Sequence, residues 1–320
     1  MQVSGTRITL PRFAQAMRMF IYRIYSVILC CAVLAALQIP SGGYIPAGEL
    51  PSIPSQYSAF NIQSHSENGQ TDNERQKGVP LVIVMYHAIC PGRCEKYVIP
   101  PKLLEEDLKY LKDNGYAGIK VADLINFQEK DTPLPEKPVV LTFDDGNRTN
   151  YIHAFPLLKK YDMKAVMAVV GAFTDSNYKK DGCRDETCKT YLTYAQMKEM
   201  AESGLVEIQN HSYDLHKVAK RNGMKMMSGE TFEEYERVLK ADLSRLEQKL
   251  EENAGIRCTA IAFPFGAYTK HSTVEVVKKL DYKASLTCNE GVNYIHKQTD
   301  LFMLKRYNRA YGRDITEWFK

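Results

Sequence analysis

The sequence predicts an α/β fold, a distorted (β/α) barrel of about seven strands. Short apolar runs rich in valine and isoleucine recur after residue 78, as is typical of parallel strands buried on both faces. Amphipathic helical segments separate these runs. Because so many strand and helix units fit into about 240 residues, a barrel is favoured over an open sheet.

Strands and helices can be assigned along this part of the chain from the period of the apolar residues. The predicted strands span residues 81–89, 138–143, 164–173, 205–210, 259–265, 282–288 and 303–308. The predicted helices span residues 101–114, 193–203, 230–254 and 271–280. The first helix is ended by Asn114-Gly115 and the second by Ser203-Gly204, because such pairs favour helix termination.

The N-terminal 39 residues are predicted to be a basic cytoplasmic flank followed by an apolar helix. Residues 24–37 carry no charge, four arginines precede them, and no lysine or arginine follows until Arg75. This pattern indicates a signal peptide or an uncleaved signal anchor, with the rest of the chain outside the membrane. Residues 40–78 are dominated by Pro, Gly, Ser, Asn and Gln and are predicted to be a flexible extracytoplasmic linker to a domain at 79–320.

Composition excludes several functional classes. The 42 basic and 38 acidic side chains give a net charge of +4, which is too small to indicate nucleic-acid binding. Neither G-x-G-x-x-G nor G-x-x-x-x-G-K-[ST] occurs, so a nucleotide ligand is not expected. The composition is otherwise that of an ordinary globular protein.

Six of the eight cysteines lie outside the apolar N-terminal run, an even number that suggests disulfides in an exported domain. The shortest loops would be closed by pairing Cys90 with Cys94, and Cys183 with Cys188. A zinc site built from these thiols is the alternative, although their spacings lack the doublets of zinc ribbons. The remaining two cysteines could equally be buried free thiols.

Three predicted strands end in residues that can carry chemistry. The strand at 138–143 is followed by Asp144-Asp145-Gly146, two adjacent carboxylates that would repel each other unless a cation neutralises one. The strand at 205–210 is followed by His211 and His216, whose imidazoles can converge on one ion if the backbone turns between them. Each motif also occurs in ordinary turns, and it is their combination at strand ends that indicates a metal site.

The third of these strands ends in Phe263-Pro264-Phe265-Gly266-Ala267-Tyr268. Proline and glycine enforce a sharp loop here, and a backbone N–H turned inward could stabilise an oxyanion.

Together the three motifs resemble those of the polysaccharide deacetylases of carbohydrate esterase family 4, which carry the NodB homology domain. The resemblance covers about residues 80–310. It implies a distorted (β/α) barrel, a divalent metal that is most often zinc, and hydrolysis of acetyl groups from acetylated polysaccharides.

The resemblance also implies roles for individual residues. Asp145, His211 and His216 match the metal ligands, and Asp144 matches the catalytic base. The backbone N–H of Phe265 matches the donor to the oxyanion. Two further candidates line the expected cleft and are assigned to substrate binding, namely Tyr268 and His87.

The sequence departs from the family pattern at the positions that steady the base and supply the general acid. Ala262 stands where the third motif usually begins with an arginine, and the usual late Asp-Trp pair is not visible. The usual late histidine is absent from Met303–Tyr307. The general acid could therefore be His87, His296 or a metal-bound water.

The stretch MLKRYN at 303–308 and the opening VIVMYHAI resemble the branch that deacetylates β-1,6-linked poly-N-acetylglucosamine. We therefore expect a metal-dependent enzyme of the bacterial cell envelope that removes N-acetyl groups from a cell-wall glycan or exopolysaccharide. It would be secreted or attached to the membrane through its N-terminus. The alternatives are a catalytically inactive glycan-binding barrel and an esterase for O-acetyl groups of the xylan type.

Overall fold

A computed structural model describes residues 78–92, 94–178 and 190–319. The predicted N-terminal apolar helix and the linker lie outside these residues. In the part of the chain that is placed, no helix is both long and apolar enough to cross a membrane.

Eleven strands are present in this part of the chain, most of them short. Their bounds are β1 Val79–Tyr86, β2 Ala88–Ile89, β3 Val98–Ile99, β4 Ala117–Ile119, β5 Pro138–Phe143, β6 Ala165–Val169, β7 Val206–Asn210, β8 Ala260–Ala262, β9 Ala284–Leu286, β10 Asn293–Ile295 and β11 Tyr307–Asn308.

Seven α-helices alternate with these strands. Their bounds are α1 Pro101–Asp113, α2 Val121–Lys130, α3 Phe155–Tyr161, α4 Gly171–Tyr178, α5 Tyr194–Glu202, α6 Phe232–Ala254 and α7 Lys270–Lys279. A π-helical turn at Asn150–Ala154 precedes α3, and 3₁₀ turns occupy Pro264–Gly266 and Ile315–Trp318. Thr193 and Thr231 cap α5 and α6 by accepting hydrogen bonds from backbone N–H groups three residues on.

The main sheet has the order β10–β1–β5–β6–β7–β8–β9, with β4 beside β5 and β11 beside β1. All of its pairings are parallel except that of β10 with β1. The segment around β11 joins the two edges of the curled sheet, because Leu304 bridges Leu286 of β9 and Tyr307 pairs with Val84 of β1. The predicted α/β barrel is therefore confirmed.

Alternate residues along the strands face two different cores. One set packs inside the curled sheet, and helix α2 adds Val121, Leu124 and Ile125 to it. The other set packs outward against the helices. Leu239, Leu243 and Ile261 form part of this outer layer, between α6 and the strands. Since both faces of each strand are covered, the carboxyl ends of the strands are the natural place for reactive groups.

The predicted strands are all present, although several are shorter than their apolar runs. The run at 164–173 ends as a strand at Val169, because Gly171 begins α4. The run at 303–308 is paired as a strand only at Tyr307–Asn308. The sequence assignment missed helices α2, α3 and α4, which are only seven to ten residues long.

Cys90 is not paired with Cys94, the partner that would close the shortest loop. Cys90 is disulfide-bonded, but Cys94, Cys258 and Cys288 all carry free thiols. The partner of Cys90 is therefore none of the other described cysteines. Cys258 is half-buried, and desolvation raises the pKa of its thiol well above the ordinary value, in keeping with an inert packing residue.

Candidate metal and catalytic site

The two adjacent aspartates at the end of β5 point in different directions. Asp144 continues from the strand and donates its backbone N–H to the carbonyl oxygen of Tyr86 at 3.0 Å. Asp145 and Gly146 both adopt left-handed backbone conformations, each with φ of 70°. This turn separates the two carboxylates, so that each can have its own partners.

Asp144 is held by a buried arginine that sequence reasoning missed. Arg306 lies just before β11, is fully buried, and donates two hydrogen bonds to the Asp144 carboxylate at 2.8 and 2.9 Å. Burial alone would raise the pKa of Asp144, but the Arg306 guanidinium outweighs it and holds that pKa well below its ordinary value. Asp144 is therefore a carboxylate at neutral pH.

Two further donors of Arg306 are also satisfied. Its Nε donates to the carbonyl oxygen of Thr287 at 2.8 Å, and Nη1 donates to Thr142 Oγ1 at 3.1 Å. Arg306 thus holds Asp144 in position, although no arginine stands at Ala262. The available signal was an arginine inside MLKRYN, a segment already assigned to a buried strand.

Asp145 lies against the two histidines that follow β7. Its Oδ1 is 3.0 Å from His216 Nε2 and 3.7 Å from His211 Nε2. That oxygen is buried, and none of the described residues gives it a hydrogen bond of acceptable geometry. Two imidazole nitrogens and one carboxylate oxygen therefore converge without satisfying one another.

The ring of His211 is fixed in one orientation and one tautomer. It is fully buried, and its Nδ1 lies 2.7 Å from the carbonyl oxygen of Ala262, which can only accept a hydrogen bond. Nδ1 therefore carries the proton and Nε2 presents its lone pair towards Asp145. Burial lowers the pKa of His211, although the charge of Asp144 opposes this, so the neutral form is favoured.

Asp145, His211 and His216 fit a divalent metal. Ligand atoms from the three side chains all lie within 4.8 Å of one another, and no other such group occurs among the residues that the structure describes. A donor set of two imidazoles and one carboxylate, with room for further ligands, is typical of catalytic zinc. The hydrogen bond from His211 Nδ1 to a backbone carbonyl is the support that metal-binding histidines usually have.

His87 and Phe265 also lie at this site. His87 follows β1, and the charges of both Asp144 and Asp145 act on it, although burial is the larger effect and lowers its pKa. Phe265 lies in the 3₁₀ turn after β8, with φ of 58° and its ring centroid 4.3 Å from that of His216.

Two other candidates are placed differently. Tyr268 lies on the same loop as Phe265, three residues further along the chain. It packs on Phe263 and accepts a hydrogen bond from the Asn289 side chain at 3.0 Å. His296 is exposed and follows β10, which pairs with the beginning of β1. His87 follows the other end of that strand. Because seven residue steps of extended chain separate the two ends, they lie about 23 Å apart. The structure does not bring His296 to the site.

Comparison with known proteins identifies the domain. The family model for polysaccharide deacetylase matches residues 131–285. The chain contains a polysaccharide deacetylase domain. The matched range includes the two aspartates and the two histidines, but His87 precedes it and Arg306 follows it.

The chain is similar over most of its length to several bacterial deacetylases. It is 29% identical to the Bacillus subtilis protein YxkH over 82% of this chain and 84% of that one. It is 27% identical to the poly-β-1,6-N-acetyl-D-glucosamine N-deacetylase of Staphylococcus aureus over 69% of this chain and 75% of that protein. The enzyme of that name from Escherichia coli is 28% identical, but the matched region is only 30% of its length.

The fold is shared with solved structures as well. A de-N-acetylase from Aggregatibacter actinomycetemcomitans superposes with a TM-score of 0.64 at 25% identity, over 74% of this chain and 97% of that one. The resemblance that the motifs indicated is thus confirmed for the domain and its fold.

The ligand assignment predicts how the protein binds metal. We expect wild-type protein to bind one zinc ion, and Asp145→Asn to weaken that binding more than about 100-fold, since it removes the only anionic ligand. Asparagine tolerates the left-handed backbone of this position, so the turn should be preserved. Calorimetric titration of the metal-free protein measures the affinity.

The matched control is His271→Ala, which removes an exposed histidine on α7. It should leave the zinc affinity unchanged. Wild-type affinity in Asp145→Asn would contradict the assignment.

Proposed function

We propose that this protein is a metal-dependent hydrolase that removes N-acetyl groups from a glycan of the poly-N-acetylglucosamine type. The observation that carries the proposal is that the turn after β5 contributes adjacent aspartates to two different groups of side chains. A three-residue metal-binding group lies directly beside a carboxylate that a buried arginine keeps ionised. Relatives named as poly-β-1,6-N-acetyl-D-glucosamine N-deacetylases support the choice of substrate.

Asp144 is suited to act as the general base. Each carboxylate oxygen accepts one hydrogen bond from Arg306 and keeps a second lone pair for a proton. Asp144 Oδ2 also lies 4.0 Å from His211 Nε2, so the base is adjacent to the metal-binding group. A divalent metal bound there would polarise the acetyl carbonyl and lower the pKa of water. Asp144 would take the proton of the attacking water.

Phe265 is suited to stabilise the charge that develops on the acetyl oxygen. Its left-handed backbone is unusual for a residue with a large side chain, and strained residues of this kind cluster at functional sites. We assign its backbone N–H as a donor to the oxyanion, and we place Tyr268 on the same loop as a substrate contact.

His87 is the candidate general acid. His87 lies at this site but does not belong to the metal-binding group of Asp145, His211 and His216. The negative charges of Asp144 and Asp145 favour its protonated form, against the effect of burial on its pKa. Its loop is fixed by Asn150, whose side chain donates to the His87 carbonyl at 2.7 Å and accepts from the Ile89 N–H at 3.1 Å. A positioned imidazole could protonate the departing sugar amine.

We place the enzyme outside the cytoplasm, at the bacterial cell envelope. The four arginines before the uncharged run at 24–37 support export, through either a cleaved signal peptide or an uncleaved anchor. The Pro/Gly/Ser-rich stretch at 40–78 supports a flexible linker between that segment and the domain. An exported glycan would be accessible there.

Two other functions compete with this proposal. The inactive glycan-binding barrel is favoured by the missing arginine at Ala262 and by the missing late histidine, and Arg306 removes the first of these reasons. An O-acetyl esterase would use the same water activation and differs in its leaving group, which would be a sugar hydroxyl.

The proposal predicts the effect of replacing the base. Metal-replete wild-type protein should release acetate from β-1,6-linked N-acetylglucosamine oligomers. Asp144→Asn should lower kcat by more than about 100-fold, because no base remains, while zinc still binds. Acetate release and zinc titration are measured on the same preparations.

The control is Asp281→Asn, which changes an exposed aspartate on the surface. It should retain full activity. If the wild type released no acetate with any divalent metal, the enzymatic function would be wrong; full activity in Asp144→Asn would remove only the role of the base.

The role of His87 predicts a difference between substrates. His87→Gln should lower kcat about 100-fold or more on the amide substrate, whose amine must be protonated to leave. Hydrolysis of p-nitrophenyl acetate should fall much less, because a nitrophenolate leaves without a proton. The exposed variant His296→Gln is the control and should change neither rate. An equal loss on both substrates in His87→Gln would contradict the assignment.

A further inference from the structure

Two large aromatic side chains are exposed while they pack against histidines of the site. Tyr97 has 47% of its surface exposed, and its ring centroid lies 4.6 Å from that of His87. Phe265 is 45% exposed and packs on His216. Aromatic rings that line a site beside convergent polar groups are candidates for ligand contacts.

Tyr97 lies on a loop that is tied to the residue after His87. The N–H of Ala88 donates to the Tyr97 carbonyl at 3.1 Å, and β2 pairs with β3 immediately after it. The ammonium of Lys96 lies 5.0 Å from the ring centroid. Because Lys96 is exposed and its long side chain has several rotamers, a ligand can displace it from the ring. The ring is therefore held in place before any ligand binds, which lowers the entropic cost of binding.

The two rings lie on either side of the reactive groups in the order of the strands. Tyr97 directly precedes β3, in the segment between β1 and α1, and Phe265 belongs to the loop that follows β8. The aspartates follow β5 and the histidine ligands follow β7, both of which lie between β1 and β8 in the sheet. A glycan that crosses the site in this direction would meet one ring on each side.

We propose that Tyr97 and Phe265 form stacking subsites for pyranose rings of the glycan, flanking the sugar whose acetyl group is removed. This inference rests on the proposed function and specifies how its substrate is held. In β-linked N-acetylglucosamine the ring substituents are equatorial, so both faces of the sugar present axial C–H groups. Such a face covers an aromatic ring and removes apolar surface from water on both partners.

The proposal predicts an effect on substrate binding more than on chemistry. Tyr97→Ala should raise KM for N-acetylglucosamine oligomers about tenfold and change kcat less than about twofold. Its rate on p-nitrophenyl acetate should equal that of the wild type, because this ester is too small to reach a neighbouring subsite. Phe265→Leu keeps the backbone amide and should also raise KM on oligomers.

The matched control is Tyr294→Ala, which removes a tyrosine that is 54% exposed but lies opposite Pro80, at the beginning of β1. It should leave KM unchanged. The increase in KM should also grow with oligomer length in the two subsite variants, because longer chains reach both rings.

The outcomes separate this inference from the function on which it rests. If the wild type releases acetate while Tyr97→Ala and Phe265→Leu keep its KM at every chain length, the stacking subsites are wrong and the function stands. If the wild type is inactive, calorimetric binding of an N-acetylglucosamine hexamer decides. A tenfold weaker Kd in both variants supports the subsites, and unchanged or undetectable binding overturns them.

Discussion

The buried ion pair between Arg306 and Asp144 is the interaction on which the site depends. It joins the residue after β5 to the segment that closes the sheet between β9 and β1. A buried charge without its partner costs about 3–5 kcal/mol, so the pair constrains both elements at once. A similar pair lies three residues further on, where Arg309 donates two hydrogen bonds to Asp107 of α1 at 2.8 and 2.9 Å. The short strand β11 is therefore held by side chains rather than by a long ladder of backbone hydrogen bonds.

Closure of the barrel and organisation of the candidate catalytic residues thus depend on the same contacts. Arg306 reaches Asp144 only if its segment lies between the two sheet edges, and there its Nε bonds the carbonyl of Thr287. The same arginine keeps Asp144 ionised, while the left-handed turn at Asp145 directs the second carboxylate to the histidines. The two neighbouring aspartates therefore have separate partners and do not compete for one cation, as their proposed roles of base and metal ligand require.

Sequence alone predicted the barrel and the residues that converge. Strands such as 138–143 are continuous apolar runs, and Asp145, His211 and His216 follow strands whose carboxyl ends share one face of the sheet. The partner of Asp144 could not be found this way, because Arg306 is 162 positions away and its role depends on closure of the sheet. The partner of Cys90 stayed open in the sequence for a related reason, since loop length says nothing about which thiols the fold brings together. Exposure of Tyr97 and Phe265 also became visible only in three dimensions.

A double-mutant cycle on Arg306 and Asp144 tests the central constraint most directly. The free energies of unfolding of metal-free wild type, Arg306→Met, Asp144→Asn and the double variant would be measured in urea. Each single change leaves one buried group without its partner, so Arg306→Met should cost about 3–5 kcal/mol. Adding Asp144→Asn to it should restore part of that loss and make the double variant more stable than Arg306→Met. If the two losses simply add, Arg306 and Asp144 are not coupled, and the account of the closed barrel as the support of the catalytic base is contradicted.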